Sequence, residues 1–200
     1  MSGTFPSSPK ASSISINSQQ NTIVSTTTSG RRQARQIDGQ LFSIKVTFPV
    51  MSRSEFAPII AFIMKQRSQI ESFNYVIPTV STLQGSASTV ITTTGSHAAG
   101  VTSINLTGMT ASQSAIFKAG DFIRFTGQNK VYMVITDVSS NGSGVGTMTI
   151  EPPLRSSLST GTVLIYSNVD FTVGLISDVQ EFNIGTENLF QYEVDLIEVL

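Results

Sequence analysis

The chain has 200 residues, only 12% of them charged, with a formal net charge of -1 and no cysteine. That length accommodates one domain with an inserted subdomain, or two small ones, and either can bury a core unaided. The near-neutral balance excludes a strongly basic nucleic-acid-binding field, and a chain without thiols excludes a disulfide scaffold and thiolate metal sites.

No apolar run approaches the roughly 20 residues that a membrane span needs, and no charged segment followed by an apolar core opens the chain. Neither membrane insertion nor a secretory leader is expected. Residues 1–30 form a polar N-terminal arm of Ser, Thr, Asn, Gln and Pro, punctuated by Phe5, Ile14, Ile16, Ile23 and Val24. Such an arm cannot fold alone. It is expected either as a disordered tail or as short strands, 13–17 and 21–27, added to a sheet edge of the kind a neighbouring subunit offers. The cluster Arg31, Arg32 and Arg35 follows, to be read either as solvated charge or as an intersubunit ion pair or phosphate contact.

Residues 37–78 are expected to contain a strand, a helix and a second strand. Phe42, Ile44, Val46 and Phe48 alternate with Ser43, Lys45 and Thr47, the period of a half-buried strand that Pro49 ends. Ser52 and Glu55 have the spacing of a capping box, with Met51 and Phe56 as its hydrophobic staple. A helix over about 52–67 should bury Phe56, Ile59, Ile60 and Ile63, with Pro58 loosening its start. Extended structure is expected again over 70–77.

After Pro78 a Ser/Thr/Gly-rich passage marks a boundary. Strands are then expected over 101–106, 121–125, 131–138, 146–150 and 162–166, separated by turn residues, as in a small barrel. In the second of these strands the alternation puts Phe122 with Arg124 on one face and Ile123 with Phe125 on the other. The turn Lys118-Ala119-Gly120-Asp121 leads into that strand, and Gly142-Ser143-Gly144-Val145-Gly146 reads as a flexible hairpin tip rather than a phosphate loop. Strands over 169–176 and 179–184 lead through the Gly185-Thr186-Glu187-Asn188 turn to a last strand over 189–200. There Phe190, Tyr192, Val194 and Leu196 alternate with Gln191, Glu193 and Asp195, and past Leu196 the pattern slips, with Ile197 and Val199 apolar around Glu198, as either a bulge or burial of both faces would give.

The expected fold class is mainly β (α+β), a β-sandwich or tube-like sheet with one packed helix and an inserted small β-barrel. Its parts are the arm at 1–30, a core domain from 31–80 and 169–200, and an inserted barrel at 81–168. No catalytic constellation is evident. His97 is the only histidine, and carboxylates alternating along one strand face, such as Glu193 and Asp195, suit a solvated or subunit-facing surface better than an acid/base pair. Asp121 and Asp137 offer too few ligands for calcium. No enzyme activity, cofactor or metal is expected.

Three stretches carry a resemblance: Arg31-Arg32-Gln33-Ala34-Arg35-Gln36-Ile37-Asp38-Gly39-Gln40, then Pro49-Val50-Met51-Ser52-Arg53-Ser54-Glu55-Phe56-Ala57-Pro58-Ile59, and the close Tyr192-Glu193-Val194-Asp195-Leu196-Ile197-Glu198-Val199-Leu200. Together they resemble minor tail proteins of tailed bacteriophages, of the distal-tail or baseplate type. The likeness covers the two flanking parts, and the middle, with Lys118-Ala119-Gly120-Asp121-Phe122-Ile123 and Lys130-Val131-Tyr132-Met133-Val134, resembles barrel insertions of such proteins. The resemblance implies a virion structural protein, assembled in the host cytoplasm into a hexameric or trimeric ring that links the tail tube to hub or other baseplate proteins. Arg31, Arg32, Arg35, Glu193 and Asp195 are then the candidate subunit contacts. The alternative is a carbohydrate- or surface-binding β module in which Phe125, Tyr132 and Tyr166 form an aromatic platform.

Overall fold

A computed structural model describes residues 2–185 and 187–200, with Asp38 described through its backbone alone. Over the described residues the protein is mainly β, with one helix and two antiparallel sheets, one of them nearly closed into a barrel. In chain order the elements begin with β1 (Ser13–Thr26), β2 (Arg32–Thr47), α1 (Arg53–Lys65) and β3 (Phe73–Val76). The middle supplies β4 (Thr92–Thr93), β5 (Ser103–Thr107), β6 (Phe122–Phe125), β7 (Val131–Val134), β8 (Gly146–Glu151) and β9 (Leu164–Ile165). β10 (Asp170–Leu175), β11 (Phe182–Ile184) and β12 (Phe190–Glu198) complete the chain. The first sheet has the order β1-β2-β12-β10-β3 with β11 on β12, and the second β4-β5-β8-β7-β6-β9.

Two compact units divide the chain: Met1–Phe73 with Val173–Val199, and Asn74–Thr172 with Leu200. The second is longer at both ends than the expected 81–168. One reason lies in Ser81, whose hydroxyl accepts from the Ile77 N–H (3.0 Å) and donates to the Val169 carbonyl (2.6 Å). Phe171 also sets its ring edge-on to Phe122 at 5.7 Å.

In the first unit the expected alternation of β2 is obeyed, with Phe42, Ile44 and Val46 buried. β1 lies antiparallel to it, Ile14 opposite Val46 and Ile16 opposite Ile44. Residues 13–26 are therefore a single strand of this chain's own sheet. The anchor comes earlier, at Phe5, which is buried against Phe48, Phe62 and Phe73. Helix α1 starts with the expected capping box: the Ser52 N–H donates to Glu55 Oε2 at 2.9 Å, a hydrogen bond that holds the Glu55 carboxyl below the usual carboxylate range. Phe56, Ile59 and Ile63 are buried, whereas Ile60 is only half-buried. Phe56 stacks on Phe190 (4.7 Å) and meets Tyr192 edge-on, which seats the helix on β12. Beyond the helix, Arg67 and Ser68 take left-handed conformations (φ 53° and 64°) and Ile70 stays exposed. The second strand therefore begins only at Phe73.

β12 keeps its period to the end. Tyr192, Val194, Leu196 and Glu198 are all buried, while Ile197 is half-buried and Val199 exposed. There is no slip; a carboxylate occupies the last inward position because Glu198 Oε2 accepts the Phe42 N–H at 3.1 Å. Thr186, in the expected turn before this strand, lies outside the described residues.

The second unit closes its sheet. β4 and β9, the ends of the strand order, meet through a Thr92–Val163 bridge and the Leu164 N–H donating to the Ile91 carbonyl at 2.9 Å. Ile123 and Phe125 point into the core cluster with Ile104, Tyr132, Met148 and Ile150. On the opposite face Arg124 pairs with Asp170 at 2.6 Å. The tip at 141–146 departs from expectation: it is tightly built. Asn141 Oδ1 accepts the N–H groups of Ser143 (2.9 Å) and Val145 (3.0 Å), an Asx-type turn. Gly144 has φ +70°, and a Cβ there would stand 2.3 Å from the Met109 carbonyl oxygen. Gly144→Ala should therefore cost more than about 1 kcal/mol in urea unfolding, and an unchanged midpoint would show that the tip relaxes freely.

Candidate functional site

The residues expected to carry function fall on two surfaces of the first unit. One is the outer part of the β1–β2 hairpin. Partners jump from Gln19–Leu41 to Asn21–Ile37, so β2 carries extra residues there, with Gly39 at φ 115°. Beyond this bulge the ribbon lies in solvent, with residues 21–37 all exposed. Its end is a tight turn in which the Thr27 N–H donates to the Arg31 carbonyl and Gly30 adopts φ 78°.

Register sorts the outer side chains onto two faces. Arg35 lies opposite Ile23, on the face that also carries Ile37 opposite Asn21. Arg32 lies opposite Thr26 on the other face, next to the Val24–Ala34 pair. Arg31 belongs to the turn. Each face thus mixes an arginine with exposed aliphatic side chains, Ile23, Val24 and Ile37 among them. The arginines lie partly within β2, not ahead of the first strand as the sequence suggests. Among the described residues, none of the three forms an ion pair.

The other surface surrounds β11 and β12. β10 leaves β12 after Leu175, the chain loops through residues 176–181, and β11 rejoins β12 at Tyr192. The detour opens a cleft of about 480 Å³ lined by Glu181, Glu193, Asp195, Gln180 and Tyr192 among others. Tyr192 Oη donates to Gln180 Oε1 at 2.8 Å, and burial pushes the phenol well above its ordinary pKa. The floor of the cleft is thus neutral and its rim acidic. Ile176 and Val179 stand exposed beside it, whereas Phe182 and Ile184 pair with Tyr192 and Phe190 on the other face of β12, Phe182 against Phe56 of α1.

Glu193 and Asp195 share the outward face of β12, as expected, but the structure does not bring them to the arginines. Glu193 faces Lys45 across the β2–β12 ladder at 2.8 Å and accepts from the Thr47 hydroxyl at 3.3 Å. The hydrogen bond from Lys45 and its charge hold the Glu193 carboxyl below the usual carboxylate range, and the same contact raises Lys45. A depressed carboxylate pKa contributes stability above its unfolded pKa and loses it as the pH falls through the folded one. An NMR titration should accordingly give Glu193 a low midpoint that returns upward in Lys45→Gln and at high salt. A midpoint indifferent to Lys45→Gln would mean that the pair does not form in solution. Lys45 escaped sequence reading as a partner of Glu193, and Glu181 is visible there only as one of the late acidic cluster, since the register and the loop after β10 bring the two to Glu193.

Other candidates resolve into structural roles. Asp121 is buried and accepts the N–H groups of Lys118 (2.7 Å) and Gln84 (2.9 Å), and Asp137 accepts that of Ala119. Among the described residues no group of three metal-ligating side chains converges. His97 pairs through its backbone with Leu158. The aromatic platform is overturned: Phe125 and Tyr132 are fully buried, and Tyr166 packs on the same core while its hydroxyl donates to the Thr89 carbonyl. Their alternation turns them into the barrel. Compared with known proteins, the chain matches no family model and no curated protein.

Proposed function

We propose that this protein is a structural subunit of a bacteriophage tail tip, of the distal-tail or baseplate-ring type, that assembles with copies of itself and joins tail tube to hub components. The observation that carries the reading is the outer β1–β2 ribbon. A two-stranded ribbon wet on both faces is marginal in water, and among the described residues this one has an unpaired edge along β1 and exposed aliphatic residues on each face. Such a segment gains order when another surface covers it, and a second copy offers that surface at every position of a closed ring. The resemblance of residues 31–40, 49–59 and 192–200 to phage tail proteins supplies the biological setting, the virion.

Mass measurement and negative-stain electron microscopy of the purified protein test the proposal. The expected result is a cyclic particle whose mass is an integer multiple of 21.4 kDa. A compact single chain at all accessible concentrations would overturn it.

A further inference from the structure

We infer that the outer β1–β2 ribbon of one copy docks on the β11–β12 cleft of the next, arginines on carboxylates, in a head-to-tail contact. This deepens the self-assembly reading and rests on it. The first argument is charge segregation along the chain. Residues 2–37 hold Lys10, Arg31, Arg32 and Arg35 and no Asp or Glu, whereas residues 173–200 hold Asp178, Glu181, Glu187, Glu193, Asp195 and Glu198 and no Lys or Arg. In a chain with so few charges, two oppositely charged surfaces on one unit are complementary.

The second argument is the apolar surface that accompanies the charge. Ile23, Val24 and Ile37 flank the arginines, and Ile176, whose N–H donates to the Asp195 carbonyl, and Val179 flank the carboxylates; all five are exposed. Each surface alone pairs aliphatic area with one sign of charge, the composition of an interface with an apolar centre and a polar rim. A purely solvated charge cluster has no use for the aliphatic residues.

The third argument is reach. Thr47 lies opposite Glu193, and Arg35 stands twelve positions further along β2. At about 3.3 Å per residue, the strand carries Arg35 on the order of 40 Å from its own copy's cleft. The ribbon cannot serve the cleft of its own chain, so the occupant is a second copy. Because donor and acceptor surfaces differ, the contact is heterologous and propagates into a ring or a filament.

The test uses the full chain in three forms: wild type, the arm variant Arg31→Glu/Arg32→Glu/Arg35→Glu, and the cleft variant Glu181→Lys/Asp195→Lys, which leaves Lys45 and Glu193 themselves unsubstituted. Mass photometry is expected to find wild type multimeric and each variant reduced to 21.4 kDa. Mixing the two variants should restore multimers, since each then meets a partner of opposite charge at both surfaces. Wild type found as a single chain sinks the assembly reading itself. Variants that stay multimeric, or that fail to recover on mixing, overturn the docking while leaving assembly standing. A chain free of natural cysteine allows an independent check. Oxidised Ala34→Cys/Val179→Cys should give a ladder of covalent multimers, with each single variant stopping at a dimer, and a double variant without the ladder overturns the proposal.

Discussion

Replacing Phe5 with alanine is expected to lower the unfolding free energy by about 3 kcal/mol, the loss for a buried phenylalanine whose site cannot collapse. The ring stacks on Phe48 (6.1 Å) and Phe73 (5.8 Å) and meets Phe62 edge-on (5.5 Å), so truncation removes contacts to the residue that follows β2, to β3 and to α1 together. Aromatic pairing of this kind adds about 0.5–1.5 kcal/mol beyond buried area. The backbone around Phe5 is held more lightly: the Ser2 N–H donates to the Ser72 carbonyl at 2.9 Å, and Lys65 Nζ donates to the Ser2 carbonyl at 3.2 Å. Without the ring, the segment before β1 loses the one large apolar anchor among its described residues and β1 is left to the β2 ladder. Urea unfolding should record the loss, and limited proteolysis should cut within residues 2–12 of the variant before wild type. Equal midpoints and equal cutting would mean that the polar arm is held by its hydrogen bonds.

The same segment illustrates what a sequence makes visible. The inner part of β2 is legible because burial of one face forces Phe42, Ile44, Val46 and Phe48 onto alternate positions. Its outer part, from Arg32 to Ile37, belongs to the same strand yet carries no such pattern, since both faces are wet and only backbone pairing with β1 defines it. Residues 13–26 are obscure for the same reason. At Glu198 the period persists, but the inward position is filled by a carboxylate satisfied by a backbone N–H from another strand, so hydropathy reads a slip where there is none. Capping chemistry, being local, was visible in Ser52 and Glu55.

The candidate site was legible by half. Charge runs single out Arg31, Arg32, Arg35, Glu193 and Asp195, and their exposure follows from their type. Their neighbours depend on strand register, which is why Lys45 turns up beside Glu193 and a cleft opens where β10 departs from β12. Aromatic content misleads in the barrel, where Tyr132 is buried with its hydroxyl donating to Gln128 Oε1 and accepting from the Arg155 N–H. A phenol so satisfied needs no solvent.

Asp170→Ala is expected to cost about 3 kcal/mol, because it strands the Arg124 guanidinium in a site where only 16% of that side chain reaches solvent. The pair sits on the face of β6 opposite the barrel core, beside the edge-on rings of Phe122 and Phe171. Arg124 meets Asp170 Oδ1 through Nη2 while its buried Nε has no hydrogen-bond partner among the described residues, so Asp170 is the acceptor that compensates this charge. Desolvating two ions offsets most of their mutual attraction, whereas desolvating one with nothing opposite is a net loss. Three outcomes follow from that asymmetry. Asp170→Asn, which keeps an acceptor oxygen but no charge, should lose less than Asp170→Ala. The double variant Arg124→Met/Asp170→Leu should recover most of the loss, the apolar pair filling the gap between β6 and β10. Hydrogen exchange should locate the weakened protection of Asp170→Ala in peptides covering β6 and β9, which pair at Arg124–Ile165 and Phe125–Leu164. If the double variant is as unstable as the single one, the ion pair fixes the packing of these strands in its own right, and the account of it as a mutually compensated charge is wrong.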